Sequence, residues 1–187
     1  MGKHNGKRME EERPADGKTN LLEWVEAIVS AVVVVVLIFT FLFKIVGVSG
    51  TSMENTLHNG DRVILFNLGY TPQNGDIVVV NQPGSKEPLV KRIIAMEGQT
   101  VDIDFETGEV TVDGQVLDEP YIKELTHREG DVVFPLTVED GCIFVMGDNR
   151  NNSKDSRRSE VGLINTHYIV GKVVFRVFPL TDIGVPK

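Results

Sequence analysis

AIVSAVVVVVLIFTFLF, residues 27–43, is a run of seventeen uncharged residues that includes the five valines Val32 to Val36. As a helix it is about 26 Å long, close to the ~30 Å apolar thickness of a bilayer. Trp24 before it and Lys44 after it can anchor and snorkel at the two interfaces. Valine is a mediocre helix former in water, but a backbone in lipid must satisfy its own hydrogen bonds, which forces a helix. The stretch therefore predicts one N-terminal transmembrane helix over residues 21–45. A disordered polar tail (1–20) is expected before it and a separate domain (46–187) after it. A cleaved leader would have an apolar region of only about 7–15 residues ending in a small-x-small site. Gly47-Val48-Ser49 matches such a site weakly, so the segment is expected to be retained as an anchor. Lys3, Lys7, Arg8, Arg13 and Lys18 precede the span, whereas only Lys44 and Arg62 follow closely. The N-terminus is expected in the cytoplasm and everything after Lys44 outside the cell membrane.

Beyond the anchor the pattern changes. Short aliphatic runs recur between turn residues, over 62–67, 76–80, 89–96, 100–105, 109–113, 115–117, 132–138, 142–146 and 168–178, and predict strands. Asp113-Gly114 is a two-residue hairpin signal, and Glu106-Thr107-Gly108 marks a longer turn. No amphipathic helix of ten or more residues is evident there; short helices are expected around Met53–Leu57 and Ser159–Asn165. The fold class is mostly β, an antiparallel-sheet domain behind one membrane helix.

The bulk chemistry excludes several functions. A net charge of −8 leaves no basic stripe for phosphates, so no nucleic acid is expected as a partner. One cysteine, Cys142, rules out an intramolecular disulfide and a cysteine-based zinc site, and reads as a small buried apolar group. His4, His58, His127 and His167 have no metal or triad context.

Gly50-Thr51-Ser52-Met53 lies just past the anchor, with Val90-Lys91-Arg92 and Gly147-Asp148-Asn149-Arg150 downstream. Serine needs a base to become a useful nucleophile. With no histidine placed for that role, a neutral lysine is the alternative. Its pKa of about 10.4 must then fall by roughly 3, at about 4 kcal/mol, and burial can supply that. Lys91 sits in an otherwise apolar strand, Pro88 to Met96, which suits such burial. Taken singly, Lys91 reads as solvent-facing and Ser52 as a turn or helix-cap residue; their combination raises a serine/lysine hydrolase. The polar segment Gly147 to Arg157 follows an apolar strand abruptly and has side chains suited to orienting a catalytic group. Its Asn151-Asn152-Ser153 sequon is discounted because it falls inside this dense loop.

In order, Ser52-Met53-x-x-Thr56-Leu57, Gly75-Asp76-Ile77-Val78, Val90-Lys91-Arg92-Ile93 and Gly147 through Arg157 resemble bacterial type I signal peptidases of the short Gram-positive kind. The resemblance covers the anchor to about Phe178. It implies a membrane-bound serine endopeptidase that removes signal peptides from exported preproteins, with no metal or cofactor. Ser52 would be the nucleophile and Lys91 the general base. Ser153 would hydrogen-bond and orient the lysine amine, Asp155 would steady it, and Arg92, Asp148 and Arg157 would supply ion pairs. The oxyanion hole would use the Ser52 backbone N–H; Gly50, two residues earlier, offers no side-chain hydroxyl, so a backbone donor is implied there. Two departures stand out. Asn55 replaces the family proline, and Ala95-Met96-Glu97-Gly98-Gln99 replaces Gly-Leu-Pro-Gly-Asp.

The chain between Lys44 and Ser52 spans at most about 29 Å, which keeps the nucleophile near the membrane, where secretory signal peptides present their cleavage sites. The lipid bilayer and preproteins with small-x-small sites are the expected partners. The rival readings are a non-hydrolytic, signal-peptidase-like accessory protein in pilus assembly and a self-cleaving repressor-type protease. A penicillin-binding enzyme needs lysine three residues after the serine, and Asn55 occupies that position.

Overall fold

The computed structural model describes residues 17–83 and 87–187. The chain divides into two units at residues 41/42.

The described part of the first unit is helix α1, Gly17–Leu42, whose last residue falls in the second unit. Its window Leu21–Thr40 has a mean hydropathy of 2.5, and none of it is buried against protein. A helix this apolar, exposed all round, suits lipid rather than water. Of the tail expected over 1–20, residues 1–16 lie outside the described residues, as does His4, and 17–20 already belong to α1. The helix also stops before residue 45. Phe43–Gly47 forms strand β1, in which Lys44 pairs with Leu65. Apolarity runs on through Ile45 and Val46, and hydropathy reads the same for a lipid helix and for an edge strand.

The second unit holds two antiparallel sheets. The larger uses β1, β2 (Arg62–Phe66), β3 (Ile77–Val80), β4 (Leu89–Met96), β9 (Cys142–Met146), β10 (Ile164–Asn165) and β11 (Ile169–Phe178), in the order β1-β2-β11-β3-β4-β9-β10. The smaller uses β5 (Thr100–Asp104), β6 (Glu109–Val112), β7 (Gln115–Val116) and β8 (Leu136–Thr137), in the order β7-β6-β5-β8. Asp113 and Gly114 both take positive φ, 53° and 76°, as a two-residue hairpin requires.

Three sequence expectations need correction. Most of 132–138 is not a strand: Val133 is 83% exposed and only Leu136–Thr137 pairs. Pro135 has no N–H to give a ladder, and Phe134 turns inward to make edge contacts with Phe105 and Phe144. The segments around Met53 and Ser159 are turns rather than helices, and the second runs into the two-residue strand β10. Cys142 is only half-buried, at the start of β9.

Two apolar clusters set the frame of the site. One joins the sheets through Ile94, Ala95, Phe144 and Met146 against Val101 and Val110. The other packs Met53 and Leu57 onto Val63, Leu65, Ile77 and Val79.

Candidate active site

The β1–β2 connection carries Ser52. Its neck is closed by Val48 N–H to the Asp61 carbonyl (2.8 Å) and Gly60 N–H to the Val48 carbonyl (2.9 Å). Met53 and Leu57 are buried pins that anchor it to the sheet, and Ser52 between them and solvent stays partly exposed. Gly50 turns the chain at φ 90°, where a side chain would be strained. The Gly50 N–H donates to Asn59 Oδ1 at 3.0 Å, which commits that donor and takes it out of the oxyanion role expected for Gly50. Among the described residues, the Ser52 N–H has no such acceptor. The Glu54–Asn55 peptide is cis.

Lys91 comes from β4, an interior strand held on both sides. Lys91 pairs with Val78 of β3, and Arg92 pairs with Ile77 of β3 and Met146 of β9. That fixed backbone aims the lysine amine at the serine: Nζ lies 2.7 Å from Ser52 Oγ and 2.9 Å from the Val90 carbonyl oxygen. Lys91 is 2% exposed. Burial lowers its pKa from 10.5 to about 8; the Asp155 and Asp148 carboxylates oppose that fall, and Arg157 adds to it. An amine in this range is neutral often enough at ordinary pH to accept a proton.

The third element is the Gly147–Arg157 loop after β9, which grips the serine turn. The Asn149 N–H donates to the Ser52 carbonyl at 3.0 Å, Asn149 Nδ2 to the Thr51 carbonyl at 3.0 Å, and Asn152 Nδ2 to Thr51 Oγ1 at 3.0 Å. A Cβ on Gly147 would collide with the Ser52 carbonyl and with Ser153 Oγ, so only glycine allows this approach.

Buried ion pairs lock the loop. Arg92 makes a two-pronged contact with Asp148, through Nε (2.9 Å) and Nη2 (2.7 Å), and its Nη1 donates to the Gly75 carbonyl at 2.8 Å. Thr56 Oγ1 donates to the same Asp148. Arg157 grips Asp155 through Nε (2.8 Å) and Nη2 (2.9 Å), and Asp155 Oδ2 also accepts the Gly147 N–H at 3.0 Å. Burial alone would raise the Asp155 carboxyl, but the Arg157 and Gly147 donors outweigh it and hold the group below the usual carboxylate range.

Ser153 is placed differently from its expected role. Its hydroxyl is buried near the Asp155 carboxylate, but Oγ makes no contact of hydrogen-bond geometry, with Lys91 or any other described residue. The amine is oriented instead by Ser52 and the Val90 carbonyl.

Glu119, Tyr121 and Arg150 are not among the predicted site residues. Arg150 is fully buried and holds Glu119 with both Nη atoms. Tyr121 lies under Arg92, its ring centroid 3.8 Å from Cζ. No local pattern in the sequence marks Glu119, which lies thirty-one residues from the Arg150 it binds.

The site opens on a cleft of about 250 Å³ lined by Val46, Ser49, Ser52, Pro88, Val90 and Lys91, between β1 and the start of β4. His58, His127 and His167 are exposed. Burial raises the Cys142 thiol, with help from Glu139 and Glu97, which disfavours the thiolate a nucleophile needs.

The family model for signal peptidase, peptidase S26, matches residues 21–178. The chain is 38% identical over 186 residues to signal peptidase I of Bacillus licheniformis, covering 94% of this chain and 98% of that one. It is 39% identical over 176 residues to signal peptidase I S of Bacillus subtilis (strain 168), covering 88% and 93%. It is 34% identical over 183 residues to signal peptidase IB of Staphylococcus aureus (strain N315), again covering 88% and 93%. A lysine amine on a serine hydroxyl, on a β scaffold behind an apolar helix, is thus joined by similarity along nearly the whole length, and the chain belongs to the signal peptidase family, peptidase S26.

Proposed function

We propose that this signal peptidase cleaves preproteins with Ser52 as nucleophile and Lys91 as general base. The observation that carries the reading is the 2.7 Å contact between a buried, pKa-lowered amine and a serine hydroxyl open to a cleft. Neutral Lys91 accepts the Ser52 proton as Oγ attacks the scissile carbonyl. The Ser52 N–H donates to the developing oxyanion. Collapse breaks the C–N bond, and Lys91 passes its proton to the departing amine, leaving an acyl-enzyme on Ser52. Lys91 then takes a proton from water, which attacks the ester; Ser52 leaves and recovers the proton.

The substrate is the signal peptide of an exported preprotein, laid extended in the cleft beside edge strand β1, with small residues flanking the site in a small-x-small pattern. Helix α1 anchors the enzyme in the lipid bilayer, N-terminus in the cytoplasm, with the peptidase domain outside and no nucleic-acid partner. Confinement to the plane shared with the substrate's own apolar segment raises their effective concentration. Incubating the detergent-solubilised chain with a secretory preprotein tests this. Cleavage at a small-x-small site is expected, falling about 10⁴-fold or more in both Ser52→Ala and Lys91→Ala. Persistent cleavage by either variant would sink the mechanism.

A further inference from the structure

The segment between β7 and β8 crosses the site as a strap. Strand β6 and the β5–β6 turn hold its two ends: the Leu117 N–H donates to the Val110 carbonyl at 2.9 Å and the Thr126 N–H to the Gly108 carbonyl at 3.0 Å. Along its length it contacts β4, the serine turn and the Gly147–Arg157 loop. Glu119 takes both Nη atoms of Arg150, and Tyr121 lies under Arg92 while its hydroxyl donates to Glu119 at 3.0 Å. The Lys123 N–H donates to the Asp148 carbonyl at 3.1 Å, and Thr126 Oγ1 accepts from Arg150 Nη1 at 3.1 Å.

Arg150 carries this contact inward. Its Nε donates to the Gly147 carbonyl at 3.2 Å, and Gly147 is the residue packed against the Ser52 carbonyl and Ser153. A planar guanidinium held bidentately along its Nη edge by a carboxylate has little freedom left, so its Nε–H is fixed on the Gly147 carbonyl. We propose that Glu119 is a positioning residue: acting through Arg150 and Gly147, it holds the Ser52 turn at the distance from which Lys91 can take its proton. The proposal rests on the Ser52–Lys91 reading. It gives the second sheet a part in catalysis, since that sheet supplies the strap.

A purely structural fork and a positioning one separate by experiment. Cleavage of a preprotein is measured with the full chain in detergent, normalised to folded protein, for wild type, Glu119→Gln and the double variant Glu119→Leu/Arg150→Met. Apolar replacement of a whole buried ion pair commonly preserves stability, so the double variant keeps the proposal testable if Glu119→Gln folds poorly. The expected result is a kcat lowered about 10–100-fold in both, KM within about twofold, and a near-wild-type thermal midpoint in the double variant. The pH at which the rate levels off stays in place, because the change acts on geometry rather than on the lysine. Wild-type kcat in Glu119→Gln, or recovery of kcat together with the midpoint in the double variant, overturns the proposal. Ser52→Ala run alongside separates the two readings: if it still cleaves, the dyad fails; if it is inert while the Glu119 variants keep full kcat, only the strap fails.

Discussion

Lys91→Met is expected to abolish cleavage and at the same time stabilise the folded domain by about 1–3 kcal/mol at neutral pH. Burial drives the lysine from 10.5 to about 8, a fall worth about 3 kcal/mol of lost preference for the charged form. Methionine has similar bulk and no charge to desolvate. Asp155 and Asp148 keep their own partners, Arg157 and Arg92, so the substitution strands no anion. The loss of the amine's contacts to Ser52 and Val90 offsets part of the gain. The pH dependence follows from linkage. Below about 8 the proton is bound in both folded and unfolded chains, and the folded chain bears the whole cost. Between about 8 and 10.5 the unfolded chain binds more protons than the folded one, so wild-type stability rises with pH and the advantage of the methionine shrinks. Denaturant midpoints for both proteins, at about pH 7 and about pH 10, measure this directly. A methionine variant less stable than wild type at neutral pH would mean that Lys91 supports the fold.

Asp155→Ala is expected to cost about 3–5 kcal/mol and to remove activity with it. The substitution leaves the 3% exposed Arg157 guanidinium without its anion and the Gly147 N–H without its acceptor. Both losses fall on the loop that grips the serine turn. Because the Asp155 pKa is depressed in the folded chain, its stabilising contribution is full above the ordinary carboxylate pKa of about 4 and is lost as pH falls through the lower folded value. The stability gap between wild type and variant, read from denaturant midpoints, should therefore narrow on acidification. A gap under about 1 kcal/mol at neutral pH would show that water replaces the carboxylate there.

Much of this architecture is legible in the residues because it rests on local signals. A charge-free run announces α1, and Asp113-Gly114 forces the hairpin between β6 and β7. Ser52, Lys91, Asp148 and Asp155 were readable by their motif order, and the folded chain brings them to one place. What escaped depends on long-range partners. β1 is a strand only because β2 lies beside it, and Glu119 matters only because Arg150 meets it from thirty-one residues away. Ser153 shows the converse: its motif position is clear, yet its hydroxyl makes no bond to the amine it was expected to hold.

The pH dependence of single-turnover preprotein cleavage tests the central claim, that a neutral Lys91 activates Ser52, most directly. About one tenth of the lysine is neutral one pH unit below its pKa of about 8, so the rate should climb about tenfold per unit up to that point and then level off. A rate that stays flat between about pH 6 and 9 would contradict the claim, because no amine titrating there could then be the base.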